Sequence, residues 1–263
     1  MDMVDQTFIA LIDPTLADAG DGPAVLSSQL RATGRRRTAR HRHVRGQLLG
    51  AHHGVLRIEA GGLQWLLPAG HVAWIPPSLP HALAEAEEFD GWSLYFSAAT
   101  CLELPATPRI FQPSALLQSA TARALQWPHA PLDAAQARLA GVIADEIAAS
   151  TPLPLALPQP RDRRLRQIAA PLARAPHDNP TVEAWAASSG LSGRSLARHW
   201  LAETGMTLGQ WRQRLRVLLA LPRLLAGDPV IGVALSMGYD TPSAFIAVFK
   251  REMGVTPARY GEG

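Results

Sequence analysis

Apolar and polar residues follow different spacings in successive parts of this chain. Between residues 38 and 97, short apolar segments separated by glycine and proline predict β-strands at 55–58, 63–67, 72–75 and 92–96. From 132 to 150 the apolar residues recur at helical spacing, and the next ten residues hold four prolines, which favour an extended spacer. We therefore predict two domains and a linker. These are an all-β domain with a terminal helix over residues 1–150, a proline-rich linker over 151–160, and an all-α domain over 161–263.

The helical region contains one pattern twice. Each copy has an alanine, a glycine four positions later, and a pair of large apolar residues at i, i+4 spacing. The first copy is Ala186, Gly190, Leu196, Trp200 and Trp211, and the second is Ala234, Gly238, Phe245, Phe249 and Tyr260. The matched glycines are offset by 48 positions and the later pairs by 49. This regular offset indicates a duplicated unit with one inserted residue.

Each copy has the physical features of a helix-turn-helix. The alanine lets two helices approach each other, and the glycine allows a turn with positive φ. Ser192 is placed to cap the second helix of the first copy, and either Asp240 or Thr241 is placed to cap that of the second. A long helix over 207–226, bent but not broken at Pro222, is predicted to join the two copies.

The two predicted domains carry opposite net charge. Residues 161–263 contain thirteen arginines and one lysine against eight acidic residues, whereas residues 1–160 contain eleven arginines against fourteen acidic residues. A basic domain fused to an acidic one is typical of a DNA-binding module joined to a module that does not bind DNA. A helical repeat that serves protein contacts is the alternative, and the basic charge argues against it.

Three motifs in the C-terminal domain carry a family resemblance. They are Leu191-Ser192 with Leu196-Ala-Arg198, Gly238-Tyr239 with Ser243-Ala-Phe245, and the closing Gly254-Val-Thr-Pro-Ala-Arg-Tyr260. They resemble the AraC/XylS family of bacterial transcription regulators. The resemblance implies two helix-turn-helix units joined by one long helix, with two recognition helices in successive major grooves of a double-stranded DNA operator. Similar regulators include repressors of neighbouring exporter genes, so it also implies a repressor of a neighbouring transporter gene.

Helix geometry assigns the predicted DNA contacts. With Leu196 and Trp200 facing inward, Arg194 and Arg198 point outward one turn apart, and arginine is the usual bidentate reader of guanine. The outward residues of the second copy are small, and its Lys250 and Arg251 are interpreted as phosphate contacts or solvated charges. We therefore expect the first copy to specify the sequence and the second to position the protein. The predicted DNA-binding residues are Arg194, Ser195, Ala197, Arg198, Thr241, Pro242, Ser243, Ala247 and Lys250.

Three histidines and a glutamine form a candidate ligand site in the N-terminal domain. His41 and His43 alternate onto one face of a predicted strand, Gln47 follows four residues later, and His81 ends a proline-rich run. This pattern resembles the cupin sensor domain found in many such regulators. The resemblance implies a cupin-like barrel, which is wide enough to hold one small-molecule effector.

In metal-binding cupins, side chains at these positions hold a divalent transition metal, for which imidazole is a suitable ligand. Gln47 stands where a glutamate is commoner, which weakens the metal interpretation. The alternative is that the histidines line an effector pocket or form buried hydrogen bonds without a metal.

Other features limit the remaining possibilities. No segment reaches the roughly 18 apolar residues of a membrane span, and the acidic start predicts no signal peptide. The single cysteine, Cys101, fits a reducing cytoplasm, so we expect a cytoplasmic, nucleoid-associated protein. The helix predicted at 132–150 packs on the barrel or pairs with a second subunit, which leaves a homodimer open.

The rival functional class is a cupin metalloenzyme or a ligand-binding protein with an accessory helical domain. No nucleophile motif, phosphate loop or pair of carboxylates accompanies the predicted barrel. We therefore do not expect an enzyme.

Overall fold

The chain forms two compact units in the computed structural model, which describes residues 14–19, 22–36, 38–53 and 55–261. One unit comprises Met1–Gly61 and Trp65–Leu155, and the other comprises Gly62–Gln64 and Ala156–Gly263. The first unit is rich in strands and the second in helices, as the sequence predicts.

The first unit is built around one long strand, β6. Its strands are β1 (Val25–Arg36), β2 (Gly46–His53), β3 (Val55–Ala60), β4 (Leu63–Pro68), β5 (Val72–Ile75), β6 (His81–Phe96) and β7 (Arg109–Phe111), and its helices are α1 (Pro14–Asp18), α2 (Ala115–Ala124) and α3 (Ala134–Ala149). The hydrogen-bonded order is β7-β5-β2-β6-β3-β4, with β1 also paired to β6. The pairings among the described strands do not close into a ring. They establish a β-rich domain but do not confirm a closed barrel.

The apolar pattern locates some strands and misses others. β3, β4 and β5 begin where the sequence predicts, and the segment 92–96 forms the end of β6. Neither β1 nor α2 is predicted. The β1 sequence contains Ser27-Ser28-Gln29 and lacks a regular apolar alternation, so its strand conformation depends on the antiparallel pairing with β6.

The two faces of the sheet carry different side chains because residues alternate along a strand. Leu48 and Phe96 enter an apolar core that also contains residues of α2 and α3. Ile143 of α3 is fully buried in that core, as its helical spacing predicts. Gln47 and Tyr95 come from the alternate positions of the same strands and are joined on the other face by a hydrogen bond.

The second unit is helical. It contains β8 (Ala156–Pro158), α4 (Arg163–Arg174), α5 (Val182–Ser188), α6 (Gly193–Thr204), α7 (Leu208–Leu225), α8 (Val230–Ser236), α9 (Pro242–Met253) and α10 (Pro257–Gly261). Helix α5 packs against α6 and α8 packs against α9, while α7 contacts α6, α8, α9 and α10. Among the described helices of the whole chain, none combines the length and the apolar character needed to cross a membrane.

The turns between the paired helices have the same geometry in both copies of the sequence repeat. The Leu191 N–H donates to Ala186 O at 2.9 Å, and the Tyr239 N–H donates to Ala234 O at 3.2 Å. The glycine before each donor is left-handed, with φ of 67° at Gly190 and 75° at Gly238. The positive φ that the sequence predicts at these glycines is confirmed.

Each copy also repeats one aromatic contact. The rings of Trp200 and Trp211 meet edge to face with centroids 5.2 Å apart, and those of Phe249 and Tyr260 do so at 5.6 Å. These are the residues that the sequence offset of 49 positions matches. The duplicated sequence therefore builds a duplicated packing unit.

Helix α7 runs close to its predicted bounds. Thr207 caps its start with a capping box to Gln210, and the helix continues past Pro222 to Leu225. The missing N–H of Pro222 is tolerated because the surrounding side chains are buried, including Leu221 and Leu224.

Candidate DNA interface and histidine cluster

Helix α6 presents an exposed basic face. The Ser192 hydroxyl accepts a hydrogen bond from the Ser195 N–H at 3.2 Å and caps the helix, as predicted. Leu196 and Trp200 are fully buried, and this burial fixes which face of α6 meets solvent. The exposed residues on that face are Arg194, Ala197 and Arg198, and Ser195 is half-buried.

Helix α9 is held in the same manner but exposes smaller side chains. Thr241, and not Asp240, is its cap, because the Thr241 hydroxyl accepts from the Ala244 N–H at 3.3 Å. Phe245 and Phe249 are fully buried. Of the predicted contacts, Thr241, Ser243, Ala247 and Lys250 are exposed, and Pro242 is half-buried in the first turn, where its missing N–H breaks no helical hydrogen bond.

Arg251 is engaged within the second unit. Its guanidinium donates to Gln213 Oε1 at 2.9 Å and lies 3.5 Å from Glu252 Oε1. The other carboxylate oxygen of Glu252 accepts from Arg214 Nε at 3.0 Å. These contacts tie the end of α9 to α7, so the neighbouring Lys250 is the better candidate for a phosphate contact.

Two arginines on α7 have a structural role that the sequence did not predict. Arg216 is 8% exposed, donates from Nε to Pro176 O at 2.8 Å, and places its guanidinium 5.4 Å from the centre of the Tyr239 ring. Arg212 donates to Asp178 O at 3.2 Å, and burial lowers the pKa of both arginines. They hold the segment before α5 and the turn before α9. The signal that identifies them is their i, i+4 spacing on the same helical face as buried Leu208.

The three predicted histidines of the first unit lie together. Their candidate ligand atoms are all within 4.8 Å of one another. In each ring, Nδ1 contacts a backbone carbonyl oxygen two residues away, at 2.9 Å for His41 and Ala39, 2.6 Å for His43 and Arg45, and 2.8 Å for His81 and Leu79. A carbonyl oxygen only accepts, so Nδ1 carries a proton in each ring, and in the neutral form of the ring Nε2 keeps its lone pair.

The backbone around this cluster differs from the prediction. His41 and His43 precede β2 and do not lie in a strand, so the predicted strand there is wrong. His41 forms one isolated antiparallel bridge with His81, with two backbone hydrogen bonds of 2.9 Å. The bridge joins residues forty positions apart, which local alternation does not reveal.

Gln47 turns its carbonyl oxygen toward the histidines. Its Nε2 donates to Ser93 Oγ at 2.9 Å and to Tyr95 Oη at 3.2 Å, while Oε1 lies 3.4 Å from His43 Nε2. Neither Ser93 nor Tyr95 was predicted as part of this site. Their alternation along β6 is the signal that places both on the face of the sheet occupied by Gln47.

The buried histidines are held neutral. Burial lowers the pKa of His43, and it lowers the pKa of His81 to about 4. His81 Nε2 is buried without a hydrogen-bond partner among the described residues. Neutral imidazoles with fixed tautomers and converging lone pairs can coordinate a cation or accept hydrogen bonds from a small ligand.

Comparison with known proteins identifies the class. An AraC-like ligand binding domain family matches residues 24–175, and a helix-turn-helix domain family matches residues 185–263. The chain is 32% identical to the HTH-type transcriptional regulator NimR of Escherichia coli K12 over 226 residues, which cover 84% of this chain and 81% of NimR. It is 35% identical to RipA of Corynebacterium glutamicum over 107 residues, or 40% of this chain and 32% of RipA. ToxT of Vibrio cholerae aligns over 91% of this chain and 98% of its own, with a TM-score of 0.38 and 9% identity.

The two family models and the match to NimR define a DNA-binding transcription regulator with a ligand-binding domain. The chain belongs to the AraC family. Its relatives are transcription regulators and not enzymes.

Proposed function

We propose that the protein binds its operator through two helix-turn-helix units, and that a divalent transition metal held by the histidine cluster controls this binding. The observation that carries the proposal is the arrangement of the three imidazoles. Each Nδ1 is fixed by a backbone carbonyl, and the ligand atoms converge within 4.8 Å. Such backbone hydrogen bonds orient metal-binding histidines in proteins generally.

The DNA-binding part of the proposal rests on the repeated geometry of the second unit. We assign α5 and α6 to one helix-turn-helix and α8 and α9 to the other, with α6 and α9 as recognition helices. Arg194 and Arg198 are exposed one turn apart on α6 and suit bidentate contacts to guanine. On α9 the exposed Ser243 and Ala247 offer few directional hydrogen bonds, and Lys250 suits a phosphate.

The residues of the histidine cluster fit a transition metal by the chemistry of their donors. Two of the three rings are buried and neutral, so their lone pairs are available at pH 7. At the usual Zn–N length of about 2.1 Å, two ligands of a tetrahedral site lie roughly 3.4 Å apart. The distance from His43 Nε2 to Gln47 Oε1 is 3.4 Å. Gln47 is therefore the candidate fourth ligand.

A bound cation would supply positive charge and bonds that join the segment before β2 to the start of β6. His41 and His43 would hold it from one side and His81 from the other. Ser93 and Tyr95 would keep the Gln47 carbonyl oxygen pointed at the site through their contacts with its Nε2. Ordering these segments is the physical means by which occupancy can change the ligand-binding domain.

Several finer features remain predictions. They are the closed cupin-type barrel, the homodimer, the cytoplasmic and nucleoid-associated location, the division into 1–150, 151–160 and 161–263, and repression of a neighbouring transporter gene.

The test uses the full chain, metal-free, titrated with Zn²⁺ or Ni²⁺ in a calorimeter and then assayed on DNA from its own upstream region. We expect wild type and the control His177→Ala, whose side chain is 62% exposed in the other unit, to bind metal equally. His43→Ala should bind at least about tenfold more weakly. Metal should also change the operator affinity of wild type and leave that of His43→Ala unchanged. Equal metal binding by both variants, or an operator affinity indifferent to metal, contradicts the proposal.

A further inference from the structure

A cavity lies in the first unit, apart from the histidine cluster. It has a volume of about 420 Å³ and is bounded by residues of α2 and of four strands, with Gln29 from β1, Ala51 from β2, Val72 from β5 and Trp92 from β6. Small-molecule sites in proteins usually have volumes of roughly 300–1,000 Å³. The cavity is therefore large enough for a small organic ligand.

The cavity and the histidine cluster lie on opposite faces of the same sheet. Ser93 and Tyr95 contact Gln47 on the face of the histidines. Trp92 precedes Ser93 in β6, so alternation places it on the other face, where it belongs to the core beside α2. A ligand in the cavity would thus contact none of the three histidines of the cluster.

The described lining of the cavity has no acidic side chain, lysine or arginine. Its polar groups include the amides of Gln29, Gln118 and Gln126, and its apolar groups include Trp92. His71 also lines it and is 5% exposed, and burial lowers the pKa of its imidazole. The described lining therefore has no carboxylate, ammonium or guanidinium group and is rich in groups that both donate and accept hydrogen bonds.

Thr121 supplies an independent sign that a ligand belongs there. It lies on α2, lines the cavity and is 3% exposed. Its hydroxyl has no hydrogen-bond partner among the described residues. A helical threonine usually satisfies its hydroxyl on the carbonyl one turn earlier, and a buried hydroxyl without a partner is unfavourable. A polar ligand atom in the cavity would satisfy it.

We propose that this cavity binds an uncharged small molecule with an apolar body and at least one hydrogen-bonding group. Such a compound would be an organic effector recognised separately from the metal. The absence of carboxylates, lysine and arginine from the described lining selects against ions, because a charge moved from water into this site would lose hydration without gaining a salt bridge to these groups. The apolar part of the ligand would contact Trp92, and its polar group would reach Thr121 and the glutamine amides.

The test uses three probes of one shape and different charge, namely benzamide, benzoate and benzamidine. Binding to the full-length protein is measured by saturation-transfer NMR and by competition at increasing probe concentration. We expect benzamide to bind at least tenfold more tightly than either charged probe. Ala122→Trp should weaken benzamide at least tenfold, because Ala122 is exposed on α2 and lines the cavity. The matched control is Leu116→Trp, which adds the same ring to α2 at an exposed residue outside the lining.

Thr121→Val tests the hydrogen bond with little change in shape and should weaken benzamide while preserving the fold. His43→Ala should leave benzamide binding unchanged, so failure of the metal proposal and failure of this one give different results. The inference is overturned if benzamide shows no saturation transfer, if a charged probe binds as tightly, or if Ala122→Trp and Leu116→Trp bind benzamide alike.

Discussion

The indole Nε1 of Trp211 donates a hydrogen bond to the carbonyl oxygen of Pro158 at 2.7 Å. Trp211 is 1% exposed, so this bond is largely shielded from water. It links α7 to β8, a strand inside the proline-rich segment that the sequence predicts to be a spacer. The end of that segment is therefore attached to the helical unit by a specific side chain.

Because of this bond, we expect the stability of an isolated helical domain to depend on whether the fragment includes β8. A fragment over 156–263 should be more stable than one over 161–263 by about 1 kcal/mol, the usual net contribution of such a hydrogen bond. Urea unfolding of both fragments measures the difference. Trp211→Phe should lower the stability of the longer fragment more than that of the shorter one. Equal effects in the two fragments would show that the bond contributes nothing.

The two turn glycines should differ in their tolerance of a side chain, although they occupy matched positions. A Cβ at Gly190 meets no atom within 4 Å, so Gly190→Ala should cost only the left-handed backbone, about 1–2 kcal/mol. A Cβ at Gly238 would lie 2.6 Å from His177 Cα and 2.8 Å from His177 O. Because this contact is with backbone, Gly238→Ala should cost a further 1–3 kcal/mol or so.

Thermal and urea unfolding of the two alanine variants measure this difference. Helical content by circular dichroism checks that each variant folds. Equal losses at the two positions would mean that the close approach of the segment before α5 to the second turn does not constrain the fold.

The stability of the metal-free protein should depend on pH through His81. Burial lowers the pKa of His81 in the folded state from 6.5 to about 4. Between these two pH values the unfolded chain therefore binds a proton at His81 and the folded chain does not. Its contribution is fully present above pH 6.5 and is lost as the pH falls toward 4. Below that pH the loss is complete, at roughly 3 kcal/mol.

His81→Gln provides the matched comparison, because glutamine keeps hydrogen-bonding groups and does not titrate. The difference in unfolding free energy between wild type and the variant should change between pH 6.5 and 4 and stay constant above pH 7. A difference that is flat across the whole range would contradict burial of a neutral His81. His43 and His71, whose pKa values are also lowered by burial, are present in both proteins and largely cancel in the comparison.

The helices of the second unit were predictable from sequence because the spacing of their apolar residues is a local pattern that occurs in two copies. The spacing of Leu196 and Trp200 within one helix, and their match to Phe245 and Phe249, locates both buried faces without tertiary knowledge. The caps follow from residue type, as at Ser192. The structural role of Arg216 was not predicted, because an arginine on a helix is ordinarily solvated. Its contacts with Pro176 and Tyr239 show why it is buried.

The first unit was less predictable because its site depends on pairing between distant strands. The histidines were identified by type and spacing, but the bridge between His41 and His81 required the fold. The strand β1 has no clear alternation and is defined by its partner β6. The cavity beside α2 was not predicted, because its lining comes from separate segments between Gln29 and Gln126 that share no motif.

We propose that α6 reads the bases of the operator and that α9 positions the protein on the phosphates. The direct test is fluorescence anisotropy of Arg198→Ala, Lys250→Ala and Ser243→Ala on operator and scrambled duplexes at several salt concentrations. Arg198→Ala should lose about 1–3 kcal/mol on the operator, relax preference at one base pair, and lose much less on scrambled DNA. Lys250→Ala should weaken both duplexes about equally and reduce the salt slope by roughly one. Ser243→Ala should change least. If Lys250→Ala altered base preference while Arg198→Ala weakened both duplexes alike, the assignment of reading to α6 and positioning to α9 would be contradicted.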